Sequence, residues 1–410
     1  MSTRPWSTTS KWGCPNDATP EVEEIRETPL LAACCWGHLE TVCKLMEDES
    51  VDVNLSDWVG RSPLFFACSN NHASVVRALL KHPNIDVNNR NDIKCWEHFP
   101  LYEASKRGHV DVVRELLTSE KLDVNARNSK ELTALIIACK SKEIEVVREL
   151  LQHNKIDVNL ATQLGATALY FACQDGDHFK VVRELLKHPD IDVNVPHVHH
   201  GTPVVHAVNM NNFRTVQELL RHPNIDVNTQ EPFGETPLYM ACCEGRGRIV
   251  RELLKNDKVD VNRMGEDGLA PLHIAIASPN GNFTVVRHLL KCKKVDVNKT
   301  SEDGETALAL ATKDYDNWNV VRLLAKQDNV NLNVRGRLGY TVLMWATLKG
   351  NLDLVLQLLK YDTLDTKLKN LAGSTALDIA NNCGHEAIAN LLQDTDTSPK
   401  KKMKMTPIIK

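Results

Sequence analysis

The amino-acid sequence predicts an all-α repeat solenoid, a stack of helix–turn–helix units joined by extended, turned-back connections. Three observations carry this reading. The segment Thr236-Pro-Leu-Tyr-Met-Ala-Cys242 has relatives that begin at Thr28, Ser62, Phe99, Thr133, Thr167, Thr202, Ala270, Thr306, Thr341 and Thr375. A second marker, Asp-Val-Asn, keeps the same beat. It ends at Asn54, Asn88, Asn125, Asn159, Asn194, Asn228, Asn262 and Asn298, with Asn331-Leu-Asn333 as a weaker ninth copy. Between the two markers lies an apolar block such as Val112-Val113-Arg114-Glu115-Leu116-Leu117. Successive starts are 34–37 residues apart, which gives eleven units between about residue 28 and residue 392. Self-similarity at a fixed period of this length is the mark of a stacked array.

Each element of the unit has a physical cause. Thr or Ser before Pro supplies an N-cap oxygen, and the proline takes the first helical position, where a missing N–H costs nothing. The run Leu-x-x-Ala-Cys then gives a first helix of three turns or fewer with one buried stripe. Gly37, Gly108, Gly176, Gly245, Gly350 and Gly384 end that helix, because glycine reaches positive φ cheaply. The second helix presents Val-Val-x-x-Leu-Leu, which fills one face. It stops at pairs such as His82-Pro83, His188-Pro189 and His222-Pro223, since proline cannot continue it. Asp-Val-Asn and a following glycine make the return, with the Asn side chain expected to tether the turn locally. No single unit can cover its own apolar face, so stacking must do so. The leucine pairs 79/80, 116/117, 150/151, 185/186, 219/220, 253/254 and 289/290 are the expected cement.

Composition narrows the function classes. A net charge of −4 over 410 residues gives no whole-molecule field toward nucleic acid or an anionic membrane. No stretch approaches 18 uncharged apolar residues, so no membrane span is predicted. Residues 1–27 are polar and lack the apolar core of a signal peptide. Of twelve cysteines, Cys34, Cys68, Cys139, Cys173 and Cys242 share one repeat position after Ala, which suits small buried hydrophobes. Reduced thiols and a cytoplasmic location are therefore expected.

The succession Thr-Pro-Leu-x-x-Ala, Gly, Val-Val-x-x-Leu-Leu and Asp-Val-Asn resembles the ankyrin repeat, over close to nine-tenths of the chain. The sequence departs from the family pattern in that only His273 keeps the histidine of its Thr-Pro-Leu-His block. The resemblance implies L-shaped units with β-hairpin fingers, and a concave surface of fingers and first helices that grips other proteins. It places partner contacts at the finger before each Thr-Pro and at two residues after each Ala-Cys. By position these include Trp58, Arg61, Asn70, Lys94, Trp96, Lys106, Arg107, Lys130, Lys140, Gln174, His199, Met210, Phe233 and Glu235. Trp58, Trp96 and Phe233 are the expected anchors, since exposed aromatics dominate binding hot spots. Lys94, Lys106, Arg107, Lys130 and Lys140 gather basic charge suited to an acidic peptide. The family also implies Asn88 and Asn228 as candidate substrates of an asparaginyl hydroxylase.

Catalytic signatures are lacking: no phosphate-cradling glycine loop, nucleophile elbow or His-Glu-x-x-His pattern occurs, so no enzyme is expected. The cluster His197-Val198-His199-His200 lacks Cys or carboxylate ligands at fixed spacing, so no metal or cofactor is expected. The reading is a protein-binding scaffold or adaptor, acting as a single chain, with protein partners and no membrane or nucleic acid. A regulatory inhibitor of an enzyme or transcription factor is the alternative. It would enter the nucleus through the basic run in Ser398-Pro-Lys-Lys-Lys-Met-Lys404. Domain boundaries are expected at 1–27 (polar segment), 28–392 (repeats) and 393–410 (disordered basic tail).

Overall fold

The computed structural model describes residues 28–89, 99–174, 178–230, 234–278, 283–313, 318–336 and 338–397. Lys94, Trp96, Phe233, residues 1–27 and the basic run of the tail lie outside the described residues. The chain divides into two compact bodies, Met1–Pro100 and Leu101–Lys410.

In the first body, α1 (Pro29–Trp36) pairs with α2 (Leu39–Met46) and α3 (Pro63–Ser69) with α4 (Ala73–Leu80). Helix α1 packs on α3, and α2 on α4. The division falls after the first residue of α5 (Pro100–Lys106), and the second body continues with α6 (Val110–Leu117), α7 (Ala134–Lys140), α8 (Ile144–Leu151), α9 (Ala168–Ala172) and α10 (Phe179–Leu185). It continues with α11 (Pro203–Asn209), α12 (Phe213–Leu220), α13 (Pro237–Cys243), α14 (Gly247–Leu253), α15 (Pro271–Ala277) and α16 (Phe283–Leu290). It closes with α17 (Ala307–Lys313), α18 (Trp318–Ala325), α19 (Val342–Leu348), α20 (Leu352–Leu358), α21 (Ala376–Cys383) and α22 (Glu386–Thr397). First helices stack on first helices from α7 to α21, and second helices on second helices from α6 to α18. Among the described residues, the fingers between repeats carry isolated bridges in place of the expected β-hairpins, such as Ala161 with Thr167 and Thr300 with Thr306. The last helix reaches Thr397.

Most of these helices span two turns, too short to persist alone, so their ends and faces must be held from outside. Side-chain caps hold the starts. The hydroxyls of Thr28, Ser62, Thr133, Thr167, Thr236, Thr306, Thr341 and Thr375 accept from the backbone N–H three residues on. Thr202 departs from this, its hydroxyl pairing instead with that of Thr229 at 3.0 Å. Ala270 has no hydroxyl, so the His273 N–H donates to the Ala270 carbonyl at 2.8 Å, and the His273 ring reaches back, Nδ1 accepting from the Ala270 N–H at 3.1 Å. Turns that lack the expected glycine also close. Asn71, Lys142 and Asn211 take positive φ of 63°, 69° and 57° in its place. The stack demands that turn whatever the residue, and at Lys142 the local cost is borne by the packing around it.

The core is repetitive. Leu79, Leu116, Leu150, Leu185, Leu219, Leu253 and Leu289 are wholly buried, while the second leucine of each pair is only half-buried. Only the first therefore acts as cement. Cys34, Cys68, Cys139, Cys173 and Cys242 are buried, and burial raises their thiol pKa values, that of Cys34 to about 12. They fill space as protonated thiols.

The Asp-Val-Asn motif splits its work. The Asp carboxylate makes the local tether, accepting from the Asn backbone N–H two residues on, as Asp157 does for Asn159 at 3.0 Å. The Asn side chain, expected to act locally, instead crosses to the next repeat. In the first body Asn54 Nδ2 donates to Asn84 O and its Oδ1 accepts from Asp86 N, at 2.7 and 2.8 Å. In the second body Asn125, Asn159, Asn194, Asn228, Asn262, Asn298 and Asn333 repeat this two-bond bridge. Each such bond is worth roughly 0.5–1.5 kcal/mol net. On the second helices, Arg114, Arg148 and Arg183 reach forward to Glu149, Glu184 and Glu218 at 2.6, 3.1 and 2.6 Å. These exposed pairs add about 0–1 kcal/mol each.

Because Leu150 is wholly buried and Leu151 is not, Leu150→Ala costs roughly 2–5 kcal/mol in urea unfolding and Leu151→Ala clearly less. Equal losses would contradict the one-sided interface.

Candidate protein-binding face

The finger of residues 57–61 in the first body is closed by one carboxylate. Asp57 accepts from Val59 N, Arg61 N and Arg61 Nε at 3.0, 2.8 and 2.7 Å. That closure leaves Trp58 at the tip, 69% exposed, while Val59 turns inward. The Arg61 guanidinium lies 4.7 Å from the Phe66 ring centre as well as on Asp57. Asn70, at the end of α3, donates to Cys35 O of the preceding repeat at 3.1 Å. Trp58 is thus the residue of this set presented outward, whereas Arg61 and Asn70 are largely engaged within the protein.

In the second body, Lys106 and Arg107 end the first helix of one repeat, and Lys140 holds the position of Lys106 in the next. Arg107 is ion-paired to Glu103. The Asn128 side chain closes the neighbouring finger, accepting from Lys130 N and Leu132 N at 3.0 and 2.9 Å, and this projects Lys130 into solvent. The Lys140 ammonium sits 5.5 Å from the centre of the Phe171 ring. Lys106, Lys130 and Lys140 are all exposed, so the basic character survives on consecutive repeats.

The remaining predicted contacts fall into a different setting. Gln174 is half-buried, Met210 is 44% exposed, and His199 is exposed on the finger of residues 197–201. Glu235 is half-buried, and burial raises its carboxyl above the ordinary range, helped by Asp267 and Glu244. Tyr239 donates its hydroxyl to Asp267. Glu235 therefore belongs to an acidic neighbourhood, distinct from the lysines of the earlier repeats. Fingertip leucines that the sequence reading passed over are exposed further on: Leu338 at 54% and Leu371 at 78%, with Leu371 N donating to Leu338 O at 3.2 Å. The signal was their offset, three or four residues before Thr341 and Thr375, the offset Trp58 has from Ser62.

A family profile described as "Ankyrin repeats (3 copies)" matches residues 14–91, 83–161, 101–197, 155–231, 204–300 and 276–370, most of the chain. The chain belongs to the ankyrin repeat family. Among solved structures, it is similar to the crystal structure of EF0377, described as an ankyrin repeat protein, with 24% identity and a TM-score of 0.44. That match covers 47% of this chain and 97% of the other. It is also similar to the crystal structure of the human ASB11 ankyrin repeat domain, at 27% identity and a TM-score of 0.46, over 55% of this chain and 98% of the other. No curated protein matches it. Ankyrin repeats generally mediate protein–protein interaction. No helix among the described residues is long and apolar enough to cross a membrane.

Within this ankyrin array, the histidine-rich finger is a stack of rings. Tyr170 of α9 is sandwiched between His197 and His206, with ring centres at 4.6 and 4.4 Å, and His200 stacks on His197 at 4.9 Å. Among the described residues, no group of three or more His, Cys, Asp or Glu is placed to hold a metal ion. His206 is buried, and neither ring nitrogen has a hydrogen-bond partner. Burial drives its pKa down to about 4, with His200 and His197 adding to the effect. His273 is held near the same value, again chiefly by burial.

Both rings fold neutral, whereas the unfolded chain protonates them near pH 6.5, so the unfolded state binds more protons below that pH. Thermal stability should hold above pH 6.5 and fall as the pH drops from 6.5 toward about 4. A His206→Leu chain should show a shallower fall in Tm over that window. A wild-type Tm flat across it would refute the assignment.

Proposed function

We propose that this ankyrin repeat chain is a protein-binding scaffold or adaptor that recognises partners through its fingertips and the ends of its first helices. The observation that carries this reading is the pairing of outward-projected groups with a rigid, mutually bridged support. Trp58 stands on a finger locked by Asp57, and Lys130 on one locked by Asn128. A large aromatic held exposed at a fixed tip loses little conformational freedom on binding, which favours it as an anchor. In the second body, Lys106, Lys130 and Lys140, joined by Arg107, suit an acidic segment of the partner. Gln174, His199 and Met210 extend the same series of positions, and Lys94, Trp96, Phe233 and Glu235 are included by their place in the repeat.

Affinity capture from the native cell tests this, with wild-type protein beside two variants of verified fold: Trp58→Ala, and the charge reversal Lys106→Glu/Lys130→Glu/Lys140→Glu. Loss of an anchor of about 2 kcal/mol weakens binding roughly 30-fold, enough to lose a captured partner. The charge-reversed protein should lose its acidic partner, and wild-type capture of that partner should weaken as salt is raised. Identical captures from all three proteins would refute the proposed face.

Hydroxylation at Asn88 and Asn228 is a second proposal on the connecting turns. Both ends of the Asn228 amide are held, Nδ2 by Lys258 O at 2.7 Å and Oδ1 by Asp260 N at 2.8 Å. A hydroxylase must therefore open that bridge to reach the side chain. Peptides spanning Asn88 and Asn228 from the native cell should carry one added oxygen, and unmodified peptides throughout would refute it.

A further inference from the structure

On α10 and α12 of the second body, two glutamates balance the neighbouring cations. Each serves two cations at once, the arginine of the preceding repeat and the basic residue three positions on. Glu184 takes Arg148 at 3.1 Å and Lys187 at 2.8 Å, and Glu218 takes Arg183 at 2.6 Å and Arg221 at 2.9 Å. The space beside Arg183 thus holds three cations, Arg183, Lys187 and Arg221, answered by the two carboxylates Glu184 and Glu218.

Between α18 and α20 the cations remain and the carboxylates do not. Arg322, Lys326 and Lys360 stand where Arg183, Lys187 and Arg221 stand, but Leu323 and Gln357 replace the two glutamates. Arg322, Lys326 and Lys360 are exposed, and none forms an ion pair among the described residues. These helices also pack less closely than the preceding second-helix pairs of this body. The result is a cleft of about 380 Å³ lined by Arg322, Ala325, Lys326, Gln357, Lys360 and Tyr361, with no carboxylate in the lining. Its size falls in the range of small-ligand clefts, about 300–1,000 Å³.

We propose that the cleft between α18 and α20 binds a ligand carrying clustered phosphate groups, which supply the negative charge that Glu184 and Glu218 supply in the earlier repeats. Three like charges line one partly enclosed space, and an anion there is attracted to all three. A guanidinium offers a fork of donors matched to phosphate oxygens, and ammonium groups add point charges. Gln357 and Tyr361, both able to donate a neutral hydrogen bond, line the same cleft. This site is independent of the fingertip face and does not require that face to function.

Titration of the full chain by calorimetry at physiological salt tests the site, with inorganic pyrophosphate as the soluble probe. Phosphatidylcholine vesicles containing phosphatidylinositol bisphosphate serve as the headgroup probe. Gln357→Glu restores the missing carboxylate between Arg322 and Lys360, so it should fold at least as stably as the wild type. It should nonetheless weaken binding at least about tenfold, because an internal anion then occupies the cations. Arg183→Ala/Arg221→Ala, which removes cations already paired, should bind as the wild type does. Soluble binding lost in Gln357→Glu supports the proposal with a free ligand as source, and vesicle binding lost in that variant supports it with a headgroup. No saturable binding to either probe, binding unchanged in Gln357→Glu, or equal weakening in the control variant would overturn it.

Discussion

Everything in this protein depends on one constraint: a two-helix repeat cannot bury its own apolar face. A helix of seven or eight residues has little stability of its own, and one repeat offers only a stripe of Leu, Ala, Cys and Val. Stacking removes that stripe from water on both sides, which is why Leu116, Leu150, Leu185 and Leu219 are wholly buried with little variation from one repeat to the next. The hydrophobic term is the largest available, at roughly 1.5–3 kcal/mol for a buried leucine side chain. It is also undirected, so it leaves the register between repeats open.

Direction comes from polar bridges. Eight asparagines of the Asp-Val-Asn motif, Asn54 in the first body and seven in the second, span to the following repeat with one donor and one acceptor, and both partners are backbone groups at fixed positions. A slip of one residue would leave both unsatisfied. The arginine–glutamate pairs of the second helices echo this register at lower value, since they are exposed and screened. The exceptions to these ladders are as telling as the rules. Where a hydroxyl cap is missing at Ala270, the ring of His273 reaches back to accept from the Ala270 N–H and holds the helix start from the other side. Where the glutamates are missing at Leu323 and Gln357, nothing in the described protein answers the cations.

The binding face and the scaffold have separate physical origins. Residues that make the stack are buried or bridged, while the fingertips are held by their own short hydrogen-bond closures, such as Asp57 around Trp58. Side chains at the tips can therefore vary without disturbing the stack. This freedom lets basic, ring-stacked and acidic fingers follow one another on a common frame: Lys130, then His197 against Tyr170, then Glu235 near Asp267.

The sequence by itself determined the repeat, its helix pair, the capping Thr or Ser, the buried Cys column and the family. All of these follow from local periodicity or from a residue's intrinsic conformational preference, and both are written within one period. Only the tertiary structure decided which leucine of each pair is cement, that the conserved-looking beat of asparagines links neighbours, and that Lys142 could take a glycine's turn. It also decided which candidate contacts face outward. Arg61 and Asn70 read like Trp58 in the sequence, yet Arg61 is turned onto Asp57 and Phe66 and Asn70 onto Cys35 of the preceding repeat. The Asn70 contact depends on an atom 35 residues away, brought near by stacking, so no window on a single repeat contains it, whereas the partners of Arg61 lie within its own repeat and only the folded finger selects them.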